Sequence, residues 1–189
     1  MRYQSGLTLI ELMVTLLVLS IVIGVAIPAF DVMVQNNRIT SQVNTLSGTI
    51  AFARNASASR PGASVTFCAS SDSASCSGNA TWENGWIVFR DEDGDASVDA
   101  GDDEILRVHS GLGGGTSLRI RGFGGVNSAV TFDDEGMPTL PAAAVAAGTF
   151  ILCDDRGAAN AEALVVSAAG QVRIVRDGND HAGNPISCP

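Results

Sequence analysis

The sequence predicts an α+β protein in which one long N-terminal helix packs on a mostly antiparallel β-sheet. The N-terminal part of the 189-residue chain joins an apolar run to an amphipathic helical pattern. The remainder consists of short apolar runs between turn residues, without a helical period of useful length. Because an amphipathic helix must bury its apolar stripe against another element, we expect the sheet to cover it.

The apolar run spans residues 7–27 and carries no charge except Glu11. About twenty such residues, each rising about 1.5 Å, span the hydrocarbon core of a bilayer. No small-residue cleavage site follows the run, so we do not expect its removal as a signal peptide. An acid in such a helix costs on the order of a few kcal/mol unless it has a partner, which marks Glu11 as a functional residue.

The helical pattern continues beyond Pro28, which we expect to kink the helix rather than end it. Residues 31–57 form an amphipathic helix, and Arg60-Pro61-Gly62 stops it. Its apolar positions recur at spacings of four and three: Ile39, Val43, Leu46, Ile50 and Ala53. We therefore assign residues 30–60 to the amphipathic half of the helix and residues 61–189 to an exported β-rich domain.

Within that domain, short β-branched and aromatic runs predict strands. The predicted strands are residues 65–68, 85–90, 104–108, 117–121, 129–133, 149–153, 163–167 and 171–176. The Ala-rich residues 140–147 are compatible with a turn of helix.

All four cysteines lie beyond the apolar run, and an even number in an exported domain indicates disulfides. Three pairings are possible. We favour Cys68 with Cys76, which bracket a short Ser-rich loop, and Cys153 with Cys188, which would pin the tail. The loop-entropy model gives these bonds roughly 3 and 4 kcal/mol. A zinc site is disfavoured, because there is no C-x-x-C spacing and the chain has 2 histidines.

The net charge of −9 excludes a uniformly nucleic-acid-binding surface but permits a local basic patch. Every basic residue is an arginine, whose planar guanidinium suits phosphate. Paired carboxylates are present, but we expect them in an exposed loop where nothing would raise the pKa of one above another. The sequence therefore predicts neither an enzyme nor a cofactor.

An acidic run offers a weak calcium candidate at Asp91, Asp93, Asp95 and Asp99. An EF-hand loop places Gly sixth and Glu twelfth, whereas here Gly94 is fourth and the twelfth residue is an aspartate. The sequence favours a solvated hairpin loop between two neighbouring strands.

The segment Gly6-Leu7-Thr8-Leu9-Ile10-Glu11, followed by an apolar helix with Pro28, resembles the class III leader and N-terminal helix of type IV pilins and type II secretion pseudopilins. The resemblance implies a leader, residues 1–6, that a prepilin peptidase cuts after Gly6, and N-methylation of Leu7, where the family usually has Phe. It implies that residues 7–29 hold the chain in the inner membrane as a single span and later assemble with other minor and major pilins. Cleavage would also place the new amine one helical turn before Glu11 of the same chain, which it could pair with. Alternatively, the amine would neutralise Glu11 of a neighbouring subunit.

The β-rich domain is similar to that of the FimT/FimU minor pilins and the GspH pseudopilins. The similarity lies in Cys68 and Cys76 before Trp82, then Gly85-Trp86-Ile87-Val88-Phe89, the acidic loop, and Glu104-Ile105-Leu106-Arg107. It implies a pilin-like fold and a minor type IV pilin that assembles into or primes the pilus. The alternative is a GspH-like minor pseudopilin of a type II secretion system. In either case the domain lies in the periplasm or outside the cell.

The run from Gly170 to Arg176 is similar to the Gly-Arg-x-Arg tail of FimT-like minor pilins, which is associated with DNA binding during natural transformation. Gly170, Arg173 and Arg176 match, but Gln171 stands where the first Arg is expected. By strict alternation, Arg176 reaches solvent only if its strand ends or bulges there. Two further arginines, Arg119 and Arg121, could extend a patch for double-stranded DNA. The alternative is that these arginines pair with acids such as Asp177 and Asp180.

Overall fold

The computed structural model describes residues 6, 8–59, 61–139, 146–176 and 178–189. Five features of the sequence analysis therefore fall wholly or largely outside the described residues. They are the leader before Gly6, the methylation position Leu7, Arg60 of the helix stop, most of the 140–147 segment, and Asp177.

Helix α1 (Leu9–Ala58) is continuous and passes through Pro28 without ending. The hydroxyl of Thr8 accepts a hydrogen bond of 3.3 Å from the Glu11 amide, the kind of bond that caps a helix N-terminus. The helical span predicted for residues 31–57 is confirmed.

The chain divides into two compact units, residues 1–38 and residues 39–189. In the first unit, the apolar side chains from Leu9 to Val34 are exposed on every side of the helix. An 18-residue window of α1 has a mean hydropathy of 2.7, so the helix is long and apolar enough to cross a membrane.

The described residues of the second unit form nine strands in two antiparallel sheets. They are β1 (Ser64–Ala69), β2 (Gly85–Asp91), β3 (Glu104–Ser110), β4 (Ser117–Gly122), β5 (Ala129–Phe132), β6 (Pro138–Thr139), β7 (Gly148–Cys153), β8 (Glu162–Val166) and β9 (Val172–Val175). The first sheet has the order β3-β2-β1-β5-β6, and the second has the order β4-β7-β8-β9. All of the predicted strands form, with small shifts at their ends.

Two departures from the predicted strands have local causes. Strand β5 ends before Asp133, because the Asp133 carboxylate turns back to accept the amides of Glu135 (3.0 Å) and Met137 (2.8 Å). Strand β6, which the sequence analysis missed, is two residues long and contains a proline, so it has no alternating pattern to recognise.

One main core joins the helix to the inner faces of both sheets. The five apolar positions predicted on the helix stripe are all buried there. At its centre, the Phe67 ring lies 4.7 Å from the Trp82 ring and 5.7 Å from the Phe150 ring, between ring centroids. The predicted α+β fold, a helix packed on antiparallel sheet, is confirmed.

Each sheet also has a smaller apolar cluster on its outer face. The cluster of the first sheet lies under the β1–β2 connection and the acidic β2–β3 loop, which contributes Ala96 and Val98. The cluster of the second sheet lies under the C-terminal tail, which contributes Ile186. A disulfide belongs to each cluster: Cys68–Cys76 in the first and Cys153–Cys188 in the second, the pairing that the sequence favoured.

Candidate functional site: the N-terminal helix and the arginine surface

Glu11 lies in the first turn of α1 and is exposed. Its backbone amide is capped by Thr8, but its carboxylate has no hydrogen-bond or ion-pair partner among the described residues. The surrounding helix surface is apolar, with Leu9, Ile10 and Leu12 all exposed. Within a bilayer, a carboxylate in that setting would be costly unless a cation paired with it. Pro28 is exposed on the same helix.

Gly170 forms the turn between β8 and β9. Its φ of +69° lies in the left-handed region, and a Cβ there would meet the Gly136 carbonyl oxygen at 2.1 Å. The amide of Gln171 donates to the Ser167 hydroxyl (3.1 Å), while its side chain is exposed. Gly170 is therefore required for the turn that sets the start of β9.

Arg173 and Arg176 are both exposed, for different reasons. Arg173 lies on the outer face of β9, opposite Val165 of β8. Arg176 reaches solvent because β9 ends at Val175, which settles the question left by strict alternation. The Arg176 side chain is 69% exposed, and its Nε lies 3.8 Å from Glu162 Oε1. No described residue forms a hydrogen bond or ion pair with the Arg173 side chain.

The two arginines of β4 have different surroundings. Arg119 is ion-paired with Glu83 and also donates to the Leu118 carbonyl oxygen, so its charge is largely compensated. Arg121 donates to two groups of the tail, the Pro185 carbonyl oxygen at 3.5 Å and the Ser187 hydroxyl. Both acceptors are neutral, and among the described residues no carboxylate pairs with Arg121.

The strand register places Arg121 and Arg173 in one row on the outer face of the second sheet. Arg121 is opposite Thr149, Thr149 is opposite Val165, and Val165 is opposite Arg173. Three strand spacings separate the two arginines, which is about 14 Å. We call Arg121, Gln171, Arg173 and Arg176 the arginine surface. Arg121 of β4 therefore lies in the same row as Arg173 of β9, whereas the charge of Arg119 is compensated by Glu83.

Asp180 does not pair with an arginine in the described residues. Its carboxylate accepts the backbone amides of Ala182 and Asn184, both at 2.9 Å, within its own turn. The Glu162 carboxylate, which the sequence analysis did not single out, accepts the Thr40 hydroxyl at 3.2 Å besides facing Arg176. Its neighbours come from distant parts of the chain, so no local sequence signal pointed to it.

The acidic loop contains one carboxylate unlike the rest. Asp91 is fully buried and accepts hydrogen bonds from the Thr66 hydroxyl (2.6 Å) and from the amides of Gly94 (2.8 Å) and Ala96 (3.1 Å). Burial raises the pKa of Asp91 above its ordinary value. The expectation that all carboxylates of this loop are equivalent was wrong, because the end of β2 lies beneath the loop.

The carboxylate oxygens of Asp91, Asp93 and Asp95 lie within 4.8 Å of one another and are the described residues best placed to hold a cation. The fourth candidate, Asp99, is exposed, and its pKa is raised chiefly by the charge of Asp95. The three hydrogen bonds to Asp91 satisfy that carboxylate without an ion. Calcium binding at this loop stays a prediction.

Comparison with known proteins decides the family. Residues 42–170 match the family described as Type II transport protein GspH, and residues 1–27 match the Prokaryotic N-terminal methylation motif. The chain belongs to the GspH family. This family of minor pilins and pseudopilins consists of structural subunits rather than enzymes. No curated protein matches the GspH-family chain in sequence at a significant level.

Two crystal structures of the type IV minor pilin FimU from Pseudomonas aeruginosa PAO1 share the fold. The P21 form gives a TM-score of 0.57 at 19% identity, covering 83% of this chain and 99% of FimU. The P65 form gives a TM-score of 0.55 at 19% identity, covering 80% and 100%. The FimT/FimU/GspH resemblance and the pilin-like fold are therefore confirmed.

Proposed function

We propose that this GspH-family chain is a minor type IV pilin subunit that assembles into or primes the pilus. The observation that supports this most is the stretch of α1 over residues 9–27, which exposes apolar side chains on every side and whose one carboxylate, that of Glu11, has no described partner. Such a surface requires lipid, or the helices of other subunits, to cover it.

In this proposal the prepilin peptidase cuts after Gly6 and leaves a methylated, positively charged amine on Leu7. While the subunit waits as a single span in the inner membrane, Glu11 compensates its own amine one helical turn away. In the filament, Glu11 compensates the amine of a neighbouring pilin. Because an unpaired carboxylate there costs a few kcal/mol, only the register that pairs the charges is stable.

Replacing Glu11 by Gln tests the assembly role, with Ser20→Ala as the matched control. Ser20 lies on the same apolar helix, but its hydroxyl is already bonded to the Leu17 carbonyl oxygen at 2.8 Å. We expect the Glu11→Gln subunit to be processed and retained in the membrane but lost from sheared filaments, and the Ser20→Ala subunit to be incorporated normally. Normal incorporation of Glu11→Gln would refute the proposed role of the carboxylate.

The GspH-like pseudopilin role uses the same helix and differs in its machine. The family description names type II transport, whereas the structural matches are type IV minor pilins. Deleting the gene separates the two roles. Loss of surface pili with intact protein secretion supports the minor pilin, and the opposite result supports the pseudopilin.

We further propose that the arginine surface contacts double-stranded DNA during natural transformation. Arg173 is exposed without a described partner, Arg176 has only a loose contact to Glu162, and Arg121 shares the row of Arg173. Gln171 can hydrogen-bond a phosphate but releases no counterion. The net charge of −9 confines binding to this local surface.

The salt dependence of binding tests the DNA contact. Each phosphate neutralised adds about −0.9 to the slope of log affinity against log salt concentration, so three arginines give a slope near −3. We expect Arg173→Ala to weaken binding and reduce the slope by about 1. Arg119→Ala is the control and should leave the slope unchanged, because Glu83 already compensates that charge. Absence of binding at low salt would rule out DNA contact by this surface.

A further inference from the structure

The second unit, residues 39–189, which we call the globular unit, exposes large aliphatic side chains at only two places in its described residues. Ile105 (37% exposed) and Val108 (46%) lie on β3, and Ile174 (36%) lies on β9. Both strands are edges, β3 of the first sheet and β9 of the second. The other large aliphatic side chains exposed in the described chain belong to the N-terminal part of α1.

The β3 edge is open for pairing. Strand β3 is hydrogen-bonded to β2, and no other described backbone group is bonded to residues 104–110. An exposed edge with aliphatic side chains is a template for another strand. The chain just before and at the start of β3 is acidic, with Asp102, Asp103 and Glu104 in succession.

The β9 edge is open in the same way and has the opposite charge. Strand β9 is bonded to β8, and no other described backbone group is bonded to residues 172–175. Arg173 lies within β9 and Arg176 directly follows it, and both are exposed. If two β3 edges or two β9 edges paired, acids would face acids or arginines would face arginines, which is repulsive. If a β3 edge pairs with a β9 edge, acids face arginines, which is attractive.

We propose that the β3 edge of one copy of this chain pairs with the β9 edge of a second copy. With antiparallel strands and Ile105 opposite Ile174, Asp103 is opposite Arg176. A parallel arrangement with the same central pair would place Glu104 opposite Arg173 but also Arg107 opposite Arg176. Among the described residues, the antiparallel arrangement opposes no like charges, so charge favours it.

This contact goes beyond the proposed function, since assembly through the N-terminal helix requires no strand pairing. It joins two different surfaces, so each copy keeps one edge free and the association does not close on itself. A strand of four to seven residues buries little area, but a shared membrane raises the effective concentration of the two edges.

Disulfide trapping in the membrane tests the pairing in the full chain. Two differently tagged copies are expressed together, one with Ile105→Cys and the other with Ile174→Cys, and cells are treated with DNase so that DNA cannot bridge them. The four native cysteines are already in disulfides. The control pair substitutes Ala159→Cys, at an exposed position outside both edges, in place of Ile174→Cys.

We expect the mixed pair to exceed the control and both like-edge pairs by about fivefold, the factor given by one favourable cross-strand contact. Equal yields, or a larger yield from Ile105→Cys with itself, would overturn the proposal.

Exchanging the charges of the two edges gives a second test. Its result does not depend on how reactive the introduced cysteines are. Adding Arg176→Glu to the Ile174→Cys copy should lower the mixed yield to the control level. Adding Asp103→Arg to the Ile105→Cys copy should then restore it, whereas DNA binding lost with Arg176 should stay lost. Failure of the restoration would count against strand pairing, and the DNA result is read independently of it.

Discussion

The two sheets of the globular unit cover their outer faces in different ways. The first sheet is covered by loops that lie next to its strands in sequence, with a disulfide that spans 8 residues. The second is covered by the C-terminal tail, which is held through a disulfide that spans 35 residues. We call the loops over the first sheet the first cover and the tail over the second sheet the second cover. The first cover is acidic, whereas the second leaves arginines exposed beside it.

The bonds that hold the covers differ in range. In the first cover, Asp72 and Asp91 bond mainly to amides within a few residues of themselves. In the second, the amide of His181 donates to the Thr149 hydroxyl at 2.8 Å, and Arg121 donates to Ser187. A local cover is specified by its own sequence, while a tail cover depends on the assembled sheet.

Removing the two disulfides separately should have the largest effects on the two covers. The entropy of the unfolded chain rises more when the longer loop is released, so Cys153→Ser with Cys188→Ser should cost about 4 kcal/mol and Cys68→Ser with Cys76→Ser about 3 kcal/mol. Urea unfolding of a fragment starting at Asp31 measures both. A smaller cost for the longer loop would show that the tail is held mainly by its packing.

Truncating one apolar side chain in each cover should cause smaller losses of stability. Ile186 is buried in the tail cluster, so Ile186→Ala should lower the free energy of unfolding by about 2 kcal/mol. Val98 belongs to the acidic loop and is only half-buried, and Val98→Ala should lower the free energy of unfolding by about 1 kcal/mol. Equal losses in urea unfolding would contradict the difference in burial.

The buried carboxylate of Asp91 should make its contribution to stability increase, rather than decrease, as pH falls. Burial raises the pKa of Asp91 in the folded chain, so the native state takes up this proton before the unfolded state does as pH falls. The contribution of this group to the free energy of unfolding therefore increases as pH falls from the raised pKa to about 3.9, the ordinary value. The cost of Asp91→Asn, measured by urea unfolding, should increase as pH falls through this window. A constant cost would contradict it.

Asp72, in the same cover, should behave in the opposite sense, with the smallest effect. The Ser75 hydroxyl (2.6 Å) and nearby amides hold the pKa of Asp72 well below its usual range. Its contribution is present above about pH 3.9 and is lost as pH falls through the lowered pKa. The cost of Asp72→Asn should therefore shrink in acid. NMR titration of the Asp72 carboxyl gives an independent check.

The helix and most strands could be predicted because their signals are local. The stripe of Ile39, Val43 and Leu46 has a helical period, and the run starting at Gly85 has strand composition. The favoured disulfides also followed from spacing and position. Strand β6 could not be predicted, since two residues carry no pattern.

The arginine surface could be predicted only in part. The position of Arg173 on an exposed face followed from alternation along β9. The neutralisation of Arg119 by Glu83 and the row shared by Arg121 and Arg173 depend on pairings between residues far apart in the chain. No sequence pattern records those pairings.

By itself, the sequence determined the long helix with its apolar N-terminal half, the single acid at Glu11, the antiparallel strands and the family. These follow from hydrophobic period, charge and local motifs, which act over a few residues. Only the tertiary structure decided that Asp91 is buried, that Arg121 rather than Arg119 joins the exposed arginines, and that β3 and β9 are open edges. Those properties depend on which strands become neighbours, and strand neighbours are chosen by packing around the shared core.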